Sequence, residues 1–316
     1  AIVSLCILIF SIIYQGKDYY IILPTIALFT GAAFRLIPSA SKIFQSIQTL
    51  KFNETSVNII YNDIKDSNES HVENNFNISE MEIYNVNKIV LNNISYRYGR
   101  LGLPVIKDLS FEIKKGESIG IIGETGSGKS TLVNILLGLL KPQKGEILID
   151  NLDINKNPSD LRKWQKNIGY VPQDIFLMDD TIENNIVFGL NKKLLDHKAL
   201  DNALKYSQLK KFISTLPDGI ETMVGERGVR LSGGQIQRIG IARALYHNPS
   251  FLIFDEATSS LDYDTEDAIV DCIDQLEGKT KIIIAHRLST VKNCDYIIKL
   301  KKGMIGKIVK PQELIK

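Results

Sequence analysis

The sequence has few cysteines and little excess charge, and each shortage excludes a class of function. Its three cysteines, Cys6, Cys272 and Cys294, share no metal-ligand or disulfide spacing, so we expect reduced thiols. The formal net charge of the 316 residues is +2, which is too small to indicate nucleic acid as a partner. Of the four histidines, only His286 acquires a role below.

Two apolar runs open the chain and predict membrane helices. Residues 1–14 are mostly apolar but too short for a full span, as in the end of a longer membrane helix. Residues 21–37 are long enough to cross most of a bilayer, with Arg35 as the only charge. The pattern then becomes amphipathic, so we predict a last membrane helix over about residues 20–50 with a cytoplasmic extension. Two soluble core helices are the alternative. Since the chain begins at Ala1, inside an apolar run, we expect a further N-terminal part in the natural protein.

Residues 61–87 differ sharply from the apolar segments before them. They contain six acidic side chains, one lysine and seven asparagines, with no sustained periodicity. We interpret them as a solvated acidic linker. From Lys88 onward the sequence is typical of a globular α/β domain. The predicted organisation is therefore the C-terminal part of a transmembrane domain at 1–60, the linker, and a globular domain at 88–316.

Three short apolar runs in the globular part each end in a polar group or a glycine loop. The run "SIGIIG" (118–123) enters a glycine-rich loop, "FLIFDE" (251–256) ends in two carboxylates, and "KIIIAH" (281–286) ends in a histidine. Runs that are apolar on both faces are typical of buried parallel strands. Because ligands of open α/β sheets bind at the carboxyl ends of strands, we expect these three ends to meet at one site.

The glycine-rich loop carries a phosphate-binding motif. Gly123, Gly128, Lys129 and Ser130 fill the pattern G-x-x-x-x-G-K-[ST] between a strand and a helix. Backbone N–H groups of such a loop surround phosphates, and the lysine reaches the β and γ oxygens. The Ser130 hydroxyl would bind Mg²⁺. A purely structural glycine turn is the alternative. We predict that ATP is bound by Gly123, Glu124, Thr125, Gly126, Ser127, Gly128, Lys129, Ser130 and Thr131.

Asp255, Glu256 and His286 supply the chemistry that ATP hydrolysis needs beside such a loop. We predict that Asp255 holds Mg²⁺ and that Glu256 polarises the attacking water. His286 would form a hydrogen bond with the γ-phosphate, so the predicted catalytic residues are Lys129, Glu256 and His286. Two carboxylates at a strand end can also simply cap the next helix, and an isolated histidine is more often a core residue.

A second glycine-rich segment, "LSGGQ", lies more than a hundred residues after the phosphate loop. It comprises Leu231, Ser232, Gly233, Gly234 and Gln235 and precedes a run with helical spacing. It therefore predicts a second anion site at a helix N-terminus. A plain glycine-rich helix entry is the alternative. Because one nucleotide needs only one phosphate cradle, we expect the second to serve a nucleotide held by another copy of the chain, with two ATP molecules between two subunits.

These motifs, in this order, resemble the nucleotide-binding domain of ATP-binding cassette (ABC) transporters over about residues 88–316. The resemblance implies an α/β fold of the P-loop NTPase type. Its parts are a RecA-like parallel core, an antiparallel β subdomain and a helical signature subdomain, preceded by the end of an all-α transmembrane domain. It also implies that Tyr98 stacks on adenine, that Gln173 contacts Mg²⁺, and that Asp262 lies at the subunit seam. The loop "MVGERG" (223–228) is similar to the exporter loop that contacts the membrane domain.

The order of the segments is similar to that of exporter-type half-transporters, in which a membrane domain precedes the cassette. Every consensus position is filled, including Glu256 and His286, which favours a homodimer with two competent sites. We therefore expect an ATPase that drives a substrate across the inner membrane, with its cassette in the cytoplasm. A soluble cassette ATPase that remodels nucleic acid or ribosomes is the alternative from a different class.

The segment "AAFRLIPSASKIFQSIQTL" (32–50) resembles the last membrane helix of PglK-type flippases. Those proteins turn lipid-linked oligosaccharides across the inner membrane. The resemblance implies a lipid-linked or other amphipathic substrate and contact with membrane lipid. Arg35 either meets a pyrophosphate group or snorkels to lipid headgroups. A peptide or drug exporter is the alternative within the exporter class.

Overall fold

The computed structural model divides the chain into two compact units, residues 1–79 and 80–316. For residues 19–23, 25, 66–71, 263 and 264 it describes the backbone alone. The residues it describes are 7, 10, 11, 14, 19–71, 86–99, 102–190, 195–257 and 263–314.

The first unit consists mainly of one long helix, α1 (Tyr19–His71), which has 53 residues. Polar residues on one stripe of α1 bond to carbonyls one turn earlier. The Ser46 hydroxyl donates to the Lys42 carbonyl at 2.9 Å, and the Thr49 hydroxyl donates to the Gln45 carbonyl at 2.9 Å. Among the described residues, no helix has a stretch both long and apolar enough to cross a membrane.

Several predictions concern the N-terminal third of the chain. Residues 61–71, which the sequence analysis placed in the linker, continue α1 as a helix. No glycine or proline interrupts them, and polar residues such as asparagine cost a helix less than about 0.7 kcal/mol each. Residues 72–85 lie outside the described residues, as does most of the predicted membrane segment 1–14. The predicted membrane span at 21–37 includes residues 21–23, for which the structure describes the backbone alone.

The second unit begins with an antiparallel sheet. Its strands are β1 (Lys88–Tyr96), β2 (Ile106–Lys114), β4 (Lys144–Ile149) and β5 (Leu152–Asp153). They pair in the order β2-β1-β4-β5, and every pairing is antiparallel. From Leu109 to Lys114, buried and exposed residues of β2 alternate, which is the pattern of a sheet with one face on the core.

The second sheet carries the predicted parallel core. Its strands are β3 (Ser118–Gly123), β6 (Ile168–Val171), β7 (Phe251–Asp255), β8 (Thr280–Ile284), β9 (Tyr296–Lys301) and β10 (Met304–Val309). They lie in the order β10-β9-β3-β8-β7-β6, and only β10 runs antiparallel to its neighbour. All five residues of β8 are buried, which explains why Ile282–Ile284 are apolar without alternation.

Helices cover this sheet and form a separate helical region between β6 and β7. They are α2 (Lys129–Leu136), α3 (Pro158–Lys166), α4 (Ile182–Ile186), α5 (His197–Tyr206), α6 (Lys210–Ile213), α7 (Gly233–Tyr246) and α8 (Tyr263–Asp274). Short 3₁₀ turns lie at Gly219–Glu221, Glu226–Gly228, Leu288–Val291 and Pro311–Glu313. The parallel core, the antiparallel subdomain and the helical region confirm the fold predicted for this part of the chain.

Candidate functional site

The carboxyl ends of β3, β7 and β8 lie next to one another at one edge of the parallel sheet. In the strand register, Ile284 at the end of β8 pairs with Asp255 on one side and with Ile121 on the other. The phosphate loop, the carboxylate pair and the histidine therefore leave the sheet at neighbouring points. This is the arrangement that the three apolar runs predicted.

The phosphate loop connects β3 to α2 through two glycines in the left-handed region. Gly126 has φ 77° and Gly128 has φ 104°, which residues with a side chain rarely adopt. Lys129 is the first residue of α2 and is buried; its Nζ donates to the carbonyls of Gly123 at 2.8 Å and Glu124 at 3.3 Å. The ammonium group is thus held inside the loop, where it can exchange these carbonyls for phosphate oxygens.

Close packing at the start of the loop leaves no room for a side chain at Gly123. A Cβ built there would lie 2.6 Å from the Ser127 Oγ and 2.6 Å from the Leu300 carbonyl oxygen. The Ser127 hydroxyl is buried and has no hydrogen-bond partner among the described residues. An unpaired buried hydroxyl costs free energy unless a ligand or water meets it, so the loop fits a polar occupant.

Glu256 and His286 form the pair that the sequence placed beside the loop. The Nε2 atom of His286 lies 2.8 Å from the Oε1 atom of Glu256. Glu256 has φ 50°, a left-handed conformation that costs a non-glycine residue free energy and that concentrates at functional sites. Its backbone N–H donates to the Ile284 carbonyl at 3.0 Å, which fixes the end of β7 against β8.

Asp255 has a different environment from Glu256. Burial, and then the neighbouring charge of Glu256, raise the pKa of the Asp255 carboxyl. The Tyr170 hydroxyl donates to Asp255 Oδ2 at 3.4 Å, and burial together with this carboxylate raises the pKa of Tyr170 to about 12. A cation beside Asp255 would offset the cost of its buried charge. The sequence prediction missed Tyr170, although it lies only three residues before Gln173.

A cleft of about 400 Å³ gathers nine of the predicted residues; Asp255 and the rest of the phosphate loop, Gly123, Glu124 and Ser127, are not part of its lining. This volume suits a bound small molecule. Two other cavities, of about 540 and 560 Å³, are larger, but no predicted site residue lines them, so chemistry rather than size identifies the site. The cleft is lined by Val105, Thr125, Gly126, Gly128, Lys129, Ser130, Thr131, Gln173, Glu256 and His286.

Val105 lines this cleft outside the predicted phosphate loop, and Tyr98 lies beside it. Val105, which the sequence prediction missed, lines the cleft just before β2. Its carbonyl oxygen would be 3.2 Å from a Cβ at Gly128, a contact between distant segments that no local pattern shows. The hydroxyl of Tyr98 lies 3.2 Å from the Thr131 Oγ1 atom, and half of the Tyr98 side chain is exposed. Tyr98 thus stands beside the cleft, and its ring packs edge to face with the Tyr96 ring at a centroid distance of 5.1 Å.

The segment Leu231–Gln235, hereafter the signature segment, lies elsewhere. Ser232 caps α7, because its hydroxyl accepts from the Gln235 N–H at 3.3 Å and its own N–H donates to the Gln235 side chain at 2.8 Å. Ser232 and Gly233 are exposed. Among the residues that the structure describes, no member of the signature segment lines the phosphate cleft.

Two further predictions concern loops around the site. Asp262 lies outside the described residues, so its predicted place at a subunit seam stays a prediction. In the loop at 223–228, Met223 is 41% exposed and Arg227 has φ 53°. This loop directly precedes the signature segment, and its predicted contact with a membrane domain also stays a prediction.

Comparison with known proteins identifies the second unit. A family model described as ABC transporter matches residues 106–259, which include the phosphate loop, Gln173, the signature segment and Glu256. The chain is 43% identical over 219 residues to the ATP-dependent lipid A-core flippase of Bordetella avium, covering 69% of this chain and 36% of that protein. It is 45% identical over 229 residues to the leukotoxin translocation ATP-binding protein LktB of Mannheimia glucosida, covering 72% and 32%.

A solved structure shows the same fold. It is a bacterial Atm1-family ABC exporter with ATP bound, which is 37% identical to this chain with a TM-score of 0.67. The match covers 74% of this chain and 40% of the exporter chain. The chain spans about a third of the length of the curated relatives that it matches.

Proposed function

The chain carries an ABC transporter ATP-binding domain, and we propose that this domain binds and hydrolyses ATP to drive an exporter or flippase. One observation carries the proposal. The phosphate loop, Gln173 and the Glu256–His286 pair line one cleft, whereas the signature segment does not. A complete set of hydrolytic side chains is thus present, and one anion site remains for a nucleotide held by a second copy.

ATP binding would begin at the phosphate loop. Backbone N–H groups around Gly126 and Gly128 would surround the phosphates, and Lys129 would leave the carbonyls of Gly123 and Glu124 for the β and γ oxygens. Tyr98 would stack on the adenine ring with its exposed face. These contacts position the nucleotide before any chemistry occurs.

The residues beside the phosphates also fit Mg²⁺. Ser130, Gln173 and Asp255 offer a hydroxyl, an amide and a carboxylate oxygen, and Mg²⁺ prefers oxygen ligands together with substrate phosphates. The carboxylate of the half-buried Asp255, whose pKa is raised by burial and by Glu256, would be stabilised by a neighbouring cation. When bound, Mg²⁺ would neutralise charge that develops on the transferred phosphate.

Hydrolysis would depend on Glu256 and His286. We assign Glu256 the role of accepting a hydrogen bond from the attacking water, which orients the water toward the γ-phosphate. His286 would turn its Nε2–H group from Glu256 Oε1, 2.8 Å away in this structure, to a γ-phosphate oxygen. Lys129 would stabilise charge on the same phosphate.

A second copy of the chain would complete each ATP site. The exposed N-terminus of α7 offers an anion site that this chain's own cleft does not use. In a two-fold dimer, each signature segment would contact the γ-phosphate bound by the other subunit, with Asp262 at the seam. Loss of the γ-phosphate would remove those bridging contacts, so the cycle of binding and hydrolysis would close and open the dimer.

The names of the relatives favour export as the work that this cycle drives. A lipid A-core flippase and an Atm1-family exporter share the cassette with this chain at 43% and 37% identity. We propose that α1 belongs to a multi-pass domain in the inner membrane and that the cassette lies in the cytoplasm. Arg35, on α1, would meet either a pyrophosphate group of the substrate or lipid headgroups.

We propose a lipid-linked or other amphipathic substrate, and a peptide or drug is the second candidate. The second candidate has support of its own, because the leukotoxin translocation protein is 45% identical and a probable multidrug resistance transporter of Bacillus subtilis is 42% identical. Cassettes are similar across these substrate classes. The distinction must therefore come from substrate binding.

ATPase stimulation in proteoliposomes that contain the complete protein tests the substrate class. We expect lipid-linked oligosaccharide to raise the ATPase rate about threefold or more, since substrate binding and dimer closure are linked. Peptides and lipid A-like lipids are the competing additions, and the Glu256→Gln variant controls for contaminating ATPases. Stimulation by peptides alone would contradict the lipid-linked substrate and favour the second candidate.

A further inference from the structure

Glu266, on α8, is a buried carboxylate whose partners all lie just after His286. The residue is 1% exposed. Its Oε1 atom accepts from the Ser289 hydroxyl at 2.9 Å and from the Thr290 hydroxyl at 3.0 Å. Its Oε2 atom accepts from the Arg287 guanidinium, which also forms an ion pair with it. One carboxylate therefore holds the three residues at 287, 289 and 290.

These contacts favour the charged form of Glu266 in spite of its burial. Burial opposes the charge, but the hydrogen bonds from Arg287, Ser289 and Thr290 outweigh it and lower the pKa of Glu266 below its usual value. A buried charge with three donors is costly to disturb. The segment that follows His286 is therefore fixed to α8 rather than free to move alone.

The residue before Glu266 touches the signature segment. A Cβ built at Gly234 would lie 2.4 Å from the Thr265 Cγ2 atom, so the Thr265 methyl group already fills the space beside Gly234. Any displacement of Gly234 toward α8 must therefore move Thr265. One turn of α8 thus contacts both the signature segment and the residues after His286.

We propose that this turn of α8 couples the signature segment to His286, with Glu266 as the positioning residue. The inference rests on the proposed function, in which the signature segment serves the partner's ATP and His286 serves this subunit's own ATP. Engagement of the partner's nucleotide at Gly234 shifts Thr265, and Glu266 carries the shift to the segment that holds His286 beside Glu256. Hydrolysis in one site then depends on closure of the other.

The Glu266→Gln variant tests the positioning role. Glutamine keeps the shape of the side chain but carries no charge, so it cannot form the ion pair with Arg287. We therefore expect kcat for ATP to fall about tenfold while KM stays within about twofold. Asp267→Asn is the matched control, since Asp267 is the next carboxylate along α8 and is exposed. It should leave both constants unchanged. If kcat falls no further in Glu266→Gln than in the Asp267→Asn control, the proposal is overturned.

A double-mutant cycle separates positioning from general damage. In a His286→Ala background, adding Glu266→Gln should cause no further loss, because Glu266 acts through His286. Because these variants hydrolyse ATP slowly, their turnover is measured as the release of labelled phosphate. If the losses of kcat in the two single variants multiply in the double variant, the proposal is overturned. If Glu266→Gln does not fold, Ser289→Ala removes one hydrogen bond and should lower kcat about threefold, again only when His286 is present.

A matched pair at Thr265 tests the coupling. Thr265→Ser removes the methyl group that touches Gly234, and Thr265→Val keeps a methyl group but removes the hydroxyl. We expect kcat to fall about threefold in Thr265→Ser and to fall less in Thr265→Val. The opposite order would contradict the coupling. A wild-type protein without ATPase activity would instead overturn the proposed function itself.

Discussion

Glu256→Gln is expected to remove nearly all ATP turnover while ATP binding stays close to the wild-type level. A glutamine keeps the size of the side chain and can still accept from His286, whose Nε2 lies 2.8 Å from Glu256 Oε1. It is, however, a far weaker acceptor for a proton from the attacking water. Since general bases contribute about 10²–10⁴-fold, kcat should fall by at least about 10²-fold. ATP would then remain intact between the subunits and hold the dimer closed.

The measurement combines phosphate release with equilibrium binding of ATP and the size of the complex with ATP and Mg²⁺. Glu277→Gln is the control, because this glutamate is exposed and lies outside the cleft. Hydrolysis by Glu256→Gln at a near-normal rate would contradict the role of Glu256. Loss of ATP binding in the same variant would instead indicate a structural role at the end of β7, where Glu256 adopts φ 50°.

Lys129→Ala should weaken ATP binding strongly, in contrast to Glu256→Gln. The Lys129 ammonium is buried inside the phosphate loop and is held by two loop carbonyls, so it is placed to contact phosphates directly. Charge-assisted hydrogen bonds of this kind are worth about 1.5–3 kcal/mol each. We therefore expect the Kd for ATP to rise about tenfold to 100-fold or more.

Titration of a fluorescent ATP analogue checks this expectation, with Lys144→Ala on β4 as an exposed lysine control. The melting temperature without nucleotide should stay near that of the wild type. Removing the lysine leaves two loop carbonyls that solvent can reach through the cleft. Unchanged affinity in Lys129→Ala would show that the backbone of the loop alone holds the phosphates.

Local patterns were sufficient to predict the parallel core and the phosphate loop. The runs that became β3, β7 and β8 are apolar on both faces, and their polar ends identify the sheet edge that carries the site. The helix start at Ser232 was also predictable, because a capping residue and glycines precede a helical pattern. In each case a few neighbouring residues determine the structure.

Contacts between distant residues could not be predicted in this way. Tyr170 reaches Asp255 across 85 positions, and Thr265 meets Gly234 from another helix. Glu266 looks like any polar residue of an amphipathic helix until the segment after His286 folds onto it. Residues 61–71 are polar and lack sustained periodicity, yet they continue the helix that the residues before them form.

Mixing two inactive variants tests most directly whether the signature segment serves a partner's ATP. Lys129→Ala damages the phosphate loop, and Ser232→Glu places a negative charge where the partner's γ-phosphate would bind. Alone, each variant should be inactive, since both sites of its dimer are damaged. Mixed equally and allowed to exchange, about half of the dimers contain both variants and one intact site, so ATPase activity should return, up to about a quarter of the wild-type level. No recovery on mixing, with Ser232→Glu active by itself, would contradict a shared site.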